Sequence, residues 1–236
     1  RTNWIITNWF RTDTYYASGG WRATWAGEGG GVLLNQCPHN LDLFQWIVGM
    51  PSRVTAFAGF GKHHDIEVED EVTAFLEYPN GATGLFVTST GEAPGTNRLE
   101  IACDRGKIVY ESDVIVVTRN DGSAREFLRT SKESFATPKT TREELKPDNH
   151  GGQHKEILQN FVDAIKTGCE LIAPAQEGIH SVELANAMLY SAWTQAPVNL
   201  PLDSVAYEAA LMERIRHSRA KEASTNNVTD LSNSFR

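Results

Sequence analysis

The stretch from residue 53 to residue 89, RVTAFAGFGKHHDIEVEDEVTAFLEYPNGATGLFVTS, decides the fold. Residues 53–60 alternate around Val54, Ala56, Ala58 and Phe60, and residues 71–78 through Val72, Ala74, Leu76 and Tyr78. Period two with β-branched and aromatic residues is the mark of a half-buried strand. Pro79-Asn80-Gly81 then turns the chain into a third strand at 82–89. Further strands are expected at 97–103, 107–111, 114–118 and 124–129, with Asp104-Arg105-Gly106 and Asn120-Asp121-Gly122 as turns. Strands this close, with no helix between them, pair antiparallel.

Outward from this block the periodicity changes. Residues 2–10, TNWIITNWF, read as a strand, and 11–31 lose all period. Residues 32–49 read as one helix, with Pro38 in a first turn, an apolar face of Leu41, Phe44, Ile47 and Val48, and Gly49 at its end. Residues 131–152 are polar and expected to be a long loop. Ile157, Leu158, Phe161, Val162 and Ile165 mark a second helix, closed by Gly168. A third runs from Ile179 to Trp193, Val198–Leu202 is extended, and Asp203 caps a fourth helix through Tyr207, Leu211 and Ile215. Residues 221–236 have no core face and read as a frayed tail. The expected fold class is α+β: a large, open, mainly antiparallel sheet with helices packed on one face, over residues 1–220. The other face is left for solvent or a partner, and its aromatic content favours a subunit interface.

Composition narrows the function. Apolar residues make up 40% of 236, an ordinary globular share, and 30 acids against 22 bases give a net charge of −8. That balance argues against a nucleic-acid binder, which needs a positive face. No apolar run is long enough for a transmembrane helix, and the start, RTNWIITNWF, lacks signal-peptide character. Six Trp, six Tyr and ten Phe exclude a disordered chain. Cys37, Cys103 and Cys169 have no zinc or disulfide spacing, which favours reduced thiols and a cytoplasmic setting. The chain begins at Arg1 on what reads as a strand, so a fragment of a longer protein is expected.

Candidate chemistry gathers in residues 11–42. In Asn35-Gln36-Cys37-Pro38-His39-Asn40-Leu41-Asp42, Asn35 and His39 are four apart and would share a helix face. In a first turn the helix dipole disfavours an imidazolium, so His39 suits a general base; the other reading is a histidine that caps or packs the helix start. Asp42 would orient the imidazole or pair with first-turn amides. The 11–31 segment holds Arg11, Tyr15, Tyr16, Trp21, Arg22 and Trp25 among six glycines. Arginine forks and aromatic faces suit a sugar or polyol, and they equally suit a packed interface. His63-His64-Asp65 with Glu67, Glu69 and Asp70 lacks a metal-ligand spacing and reads as a solvated hairpin lead-in. His150 and His154 are four apart without the glutamate of HExxH. Gly27-Glu28-Gly29-Gly30-Gly31 is not GxGxxG, so no dinucleotide fingerprint, P-loop or GxSxG elbow is present.

The order TNWFRTDTYYASGGWRATWAGEGGGVLLNQCPHNLDLFQWIVGMPSRV resembles the C-terminal domain of the Gfo/Idh/MocA oxidoreductases. EDEVTAFLEYPNGATGLF, GTNRLEIACDRGKIV, HKEILQNFVDAIKTG and ELANAMLYSAW continue the resemblance to about residue 215. It implies a dihydrodipicolinate-reductase-like C-terminal domain of an enzyme that moves hydride between NAD or NADP and a sugar or polyol. The cofactor would be held by an N-terminal Rossmann domain that these residues do not include. His39 then matches the acid/base histidine. Asn35 stands where the family has aspartate, and an amide can hold a hydroxyl but cannot take a proton. Arg22 and Trp21 match pocket-lining positions, with Arg11, Tyr15 and Tyr16 nearby. The resemblance implies a homodimer or homotetramer through the open sheet, no metal, no nucleic acid and no membrane. The alternative is a non-catalytic sugar-binding or assembly module without a nucleotide domain.

Overall fold

The computed structural model describes residues 1–146 and 151–219. The expected tail at 221–236, and His150, lie outside these residues. The fold is α+β, with an open, mixed and mostly antiparallel sheet of nine strands and packed helices. The chain divides into two compact units.

One unit takes Thr2–Asn97 and the segment from Ser181 on. It holds β1 (Thr2–Ile6), α1 (Asp13–Ala17), α2 (Val32–Asn35), α3 (Pro38–Val48), β2 (Arg53–Phe60), β3 (Glu69–Glu77) and β4 (Thr83–Ser89). Near its C-terminal end come β9 (Val198–Asn199) and α7 (Ser204–Arg216). Its strands lie in the order β1-β4-β3-β2-β9. The 53–89 block pairs antiparallel as expected, with Ala56 opposite Ala74 and Ala74 opposite Phe86. β1 runs parallel to β4, because the chain makes a crossover through α1–α3 and two strands before it returns beside β1.

The alternation sets the core. Val54, Ala56, Val72, Ala74, Leu76 and Phe86 are buried, while Phe57 and Phe75 are 74% and 45% exposed on the opposite face. Phe44 of α3 packs on Trp4 and Phe86, at 6.1 and 5.8 Å between ring centres. β9 pairs with only the first two residues of β2. Beyond it, Ser191 Oγ accepts from Ala56 N at 2.9 Å and donates to Ala196 O at 2.7 Å. Asp203 caps α7, accepting from Val205 N and Ala206 N.

The other unit takes Arg1 and Arg98–His180. Its strands are β5 (Asn97–Cys103), β6 (Gly106–Glu111), β7 (Val114–Asn120) and β8 (Thr140–Leu145), in the order β8-β7-β6-β5, all antiparallel. Its helices are α4 (Ala124–Thr130) and α5 (Gln153–Thr167); α6 (Gly178–Thr194) lies from Ser181 on in the unit described first. Gly168 closes α5 in the left-handed conformation, at φ 74°.

Three expectations are corrected. The strand expected at 124–129 is α4, started by Ser123, whose hydroxyl accepts from Glu126 N. The polar 131–152 stretch contains β8, exposed along its whole length. The helix expected over 32–49 is two helices, because Pro38 has no N–H with which to continue the ladder and instead opens α3.

Candidate functional site

The segment between β1 and β2 carries the candidate residues, and its glycines let the chain pack closely. A Cβ on Gly27 would stand 2.2 Å from Trp21 O, and one on Gly31 would stand 2.0 Å from Glu69 O. No side chain fits at either position. Gly31 thereby seats α2 directly against β3. Leu33 N donates to Glu69 Oε1 at 3.1 Å. Glu69 is fully buried, and burial pushes its carboxyl up to about 7.

A hydrogen-bonded cluster lies on α2. Tyr15 donates its hydroxyl to Asn35 Oδ1 at 2.9 Å. The Tyr15 oxygen accepts from Arg22 Nη1 at 2.7 Å and from Gln36 Nε2 at 3.1 Å. Gln36 Nε2 also donates to Asn35 Oδ1 at 2.8 Å. Asn35 Nδ2 donates to Glu28 Oε1, and Glu28 Oε2 accepts from Ala23 N at 2.6 Å. The Arg22 guanidinium lies 4.4 Å from the Tyr15 ring centre and 4.6 Å from that of Trp21. Arg11 lies 5.2 Å from the Tyr15 ring centre, a looser cation–π contact.

Of the expected site residues, Arg11, Tyr15, Trp21, Arg22 and Asn35 thus meet in one network. Trp21 and Asn35 are exposed. Tyr16 is buried: its ring meets Tyr15 edge-on at 5.1 Å, and its hydroxyl donates to Thr90 Oγ1 at 2.9 Å. His39 is exposed on the first turn of α3, and no hydrogen bond or ring contact to it occurs among the described residues. Asn35 and His39 stand on different helices rather than one face, since Gln36 and Cys37 form the break at Pro38. Asp42 neither orients His39 nor takes first-turn amides; it accepts from Gln45 Nε2 at 3.1 Å.

Glu28, Gln36 and Glu69 were not expected. Glu28 lies inside a glycine run with no spacing to mark it. Glu69 and Asp70 were read as solvated, yet both are buried. Asp70 accepts from Lys62 N, His63 N and His64 N, and its carboxylate faces His64 Nδ1 at 3.1 Å. The His63–Asp70 stretch is therefore a folded loop built around a carboxylate. Among the described residues no group of three or more His, Cys, Asp or Glu is arranged to hold a metal ion, and no helix is long and apolar enough to cross a membrane.

Comparison with known proteins follows the same outline. Residues 3–109 match the family described as GFO/IDH/MocA C-terminal domain. No curated protein matches the chain. Among solved structures, the WlbA dehydrogenase from Bordetella pertussis, in complex with NADH and UDP-GlcNAcA, is 23% identical with a TM-score of 0.63; the match covers 86% of this chain and 55% of that one. Levoglucosan dehydrogenase in complex with NADH is 17% identical with a TM-score of 0.66, covering 85% and 58%. A putative NADPH-dependent oxidoreductase from Desulfitobacterium hafniense is 18% identical with a TM-score of 0.57, covering 91% and 57%. The chain spans between 55% and 58% of the length of these structures.

Proposed function

We propose that this chain, whose residues 3–109 match the GFO/IDH/MocA C-terminal domain, supplies the substrate side of an NAD(P)-dependent oxidoreductase acting on a sugar or polyol. The observation that carries the reading is the network on α2. It holds Asn35 and Arg22 through Tyr15, with Arg22 against the exposed Trp21 ring; His39, four residues after Asn35 in sequence, is also exposed. Fixed donors next to an aromatic face are what a polyhydroxylated ring needs.

In this reading Arg22 and Asn35 hold hydroxyls next to the reacting carbon, and the ring of Trp21 covers the apolar side of the sugar. Arg11, against the Tyr15 ring, adds guanidinium donors of its own. A ring nitrogen of His39 takes the proton of the carbinol hydroxyl during oxidation and returns it during reduction. The described residues do not fit a dinucleotide. Gly27–Gly31 leads into a helix of only four residues, and Gly31 is pressed onto the β3 backbone. A pyrophosphate needs open backbone amides at the start of a longer helix. The nicotinamide, as hydride acceptor or donor, belongs to a nucleotide-binding domain outside these residues. We infer further that copies of the chain assemble as a dimer or tetramer through the open sheet face bearing Phe57 and Phe75.

The reading is tested on a polypeptide carrying this domain together with its nucleotide-binding domain. A panel of polyols and keto-sugars is offered with NAD or NADP, and nicotinamide absorbance is followed. Turnover of at least one member is expected. Binding without turnover across the panel would favour the non-catalytic module instead.

A further inference from the structure

We propose that Glu28 is the positioning residue of this site, fixing the Asn35 amide so that one of its N–H groups is kept for a ligand oxygen. The proposal rests on the sugar-site reading above and adds a residue and a bonding polarity to it. A carboxylate only accepts hydrogen bonds, so the Asn35 side chain must turn its nitrogen toward Glu28. The Asn35 oxygen is then occupied twice, by the Tyr15 hydroxyl and by Gln36 Nε2. The Tyr15 hydroxyl is also saturated: its proton goes to Asn35, and its lone pairs go to Arg22 and Gln36. Two N–H groups stand on Asn35 Nδ2 and one is used by Glu28. The other is the single hydrogen-bonding group that the Asn35 side chain has left to offer, and Asn35 is exposed. The site therefore presents a donor at this position, to an oxygen that accepts.

Glu28 can impose this because it is bound at both ends. Its second oxygen is held by the Ala23 amide at 2.6 Å, in the loop that carries Trp21 and Arg22. One carboxylate thus ties the loop to α2 and sets the polarity of Asn35. A glutamine has one accepting oxygen, so it cannot accept from both Ala23 and Asn35 with separate oxygens.

The experiment compares wild type, Glu28→Gln and the double variant Glu28→Gln/Asn35→Asp in the 236-residue chain. The probes are D-glucose, myo-inositol and D-glucuronate, with binding and the Asn35 side-chain amide followed by NMR. The Asn35 resonances are assigned by their loss in Asn35→Asp. Glu28→Gln is expected to shift those resonances and to weaken the probe that binds by about tenfold, the worth of one hydrogen bond. The double variant reverses the polarity of the link, with the introduced amide donating to the introduced carboxylate. It should regain the wild-type Tm without regaining affinity, because a carboxylate has no N–H to offer. Unchanged affinity in Glu28→Gln, unmoved Asn35 resonances, or affinity that returns with the Tm in the double variant would each overturn the proposal. If wild type binds none of the three probes, the sugar reading fails on its own. The Asn35 resonances then decide the role of Glu28: a shift supports it and no shift overturns it.

Discussion

Glu69 is a carboxyl with no exposed surface, placed where the first amides of α2 meet β3. Burial pushes it up to about 7 from an ordinary 4.5, with the nearby Glu28 charge adding to the rise. The folded protein therefore holds this proton more tightly than the unfolded chain does. Stability linked to Glu69 is greatest below pH 4.5 and is lost as pH rises toward 7, by roughly 3 kcal/mol for a shift of this size. Glu69→Gln keeps an acceptor for Leu33 N and removes the titration. Thermal or urea unfolding should find the variant more stable than wild type at about pH 8, with the gain shrinking toward zero near pH 5. A difference that does not change with pH would contradict this placement of the charge. At this scale the sequence was informative for groups that carry their own signature. The arginine–aromatic segment is one case; Asn35 was singled out too, but the face it was expected to share with His39 is broken at Pro38. It was silent on Glu28 and Glu69, whose importance comes from neighbours brought in by folding. Alternation counted back from Val72 would turn Glu69 toward solvent, but the register shifts between Gly59 and Phe60 so that Glu69 pairs with Phe60, and Gly31 seats α2 against its backbone.

At the scale of elements, α6 takes over where the two-residue β9 stops. Ser191 is buried and satisfies one donor of β2 and one acceptor of the chain after α6. Ser191→Ala would leave the buried Ala56 N unpaired and remove the hydroxyl donor from Ala196 O. Its cost should be about 1–3 kcal/mol, measured by urea unfolding. A loss under about 0.5 kcal/mol would mean that other groups or water satisfy them. The helix starts show what local chemistry reveals. Asp203 and Gly168 were legible as caps because capping depends on residues adjacent in sequence. Ser123 with Glu126 is the same kind of signal, a capping box, and it explains why Ala124–Thr130 is a helix despite Phe127 and Leu128 suggesting a strand. β8 could not be read in this way. Its residues, TTREEL, present no apolar face, and the charges suit the sheet edge that it occupies beside β7. Its pairing comes from β7 rather than from its own pattern. The break between α2 and α3 was marked by Pro38, but the sequence left open whether Pro38 stood inside a longer helix or began a new one.

For the whole molecule, the alternation in residues 53–89 was enough to place the sheet core, and it left Phe57 and Phe75 on the uncovered face. Two large aromatics in water on one sheet face are the physical basis for expecting assembly. Light scattering at micromolar concentration should show a dimer or tetramer, and charged substitutions at both positions should lower the mass toward 26.1 kDa. A wild-type species that is monomeric under these conditions would contradict assembly through this face. The parallel pairing of β1 with β4 was not legible, since it depends on where the chain returns after α3 and not on the residues of β1. The central claim concerns chemistry, and it rests on the proposal that His39, exposed on the first turn of α3, is the proton acceptor. The most direct measurement is kcat for wild type and His39→Ala, on the polypeptide carrying both domains and with the sugar or polyol it turns over best. The account predicts a fall of about 10²–10⁴-fold, the usual worth of a general acid or base. Unchanged turnover in His39→Ala would contradict it.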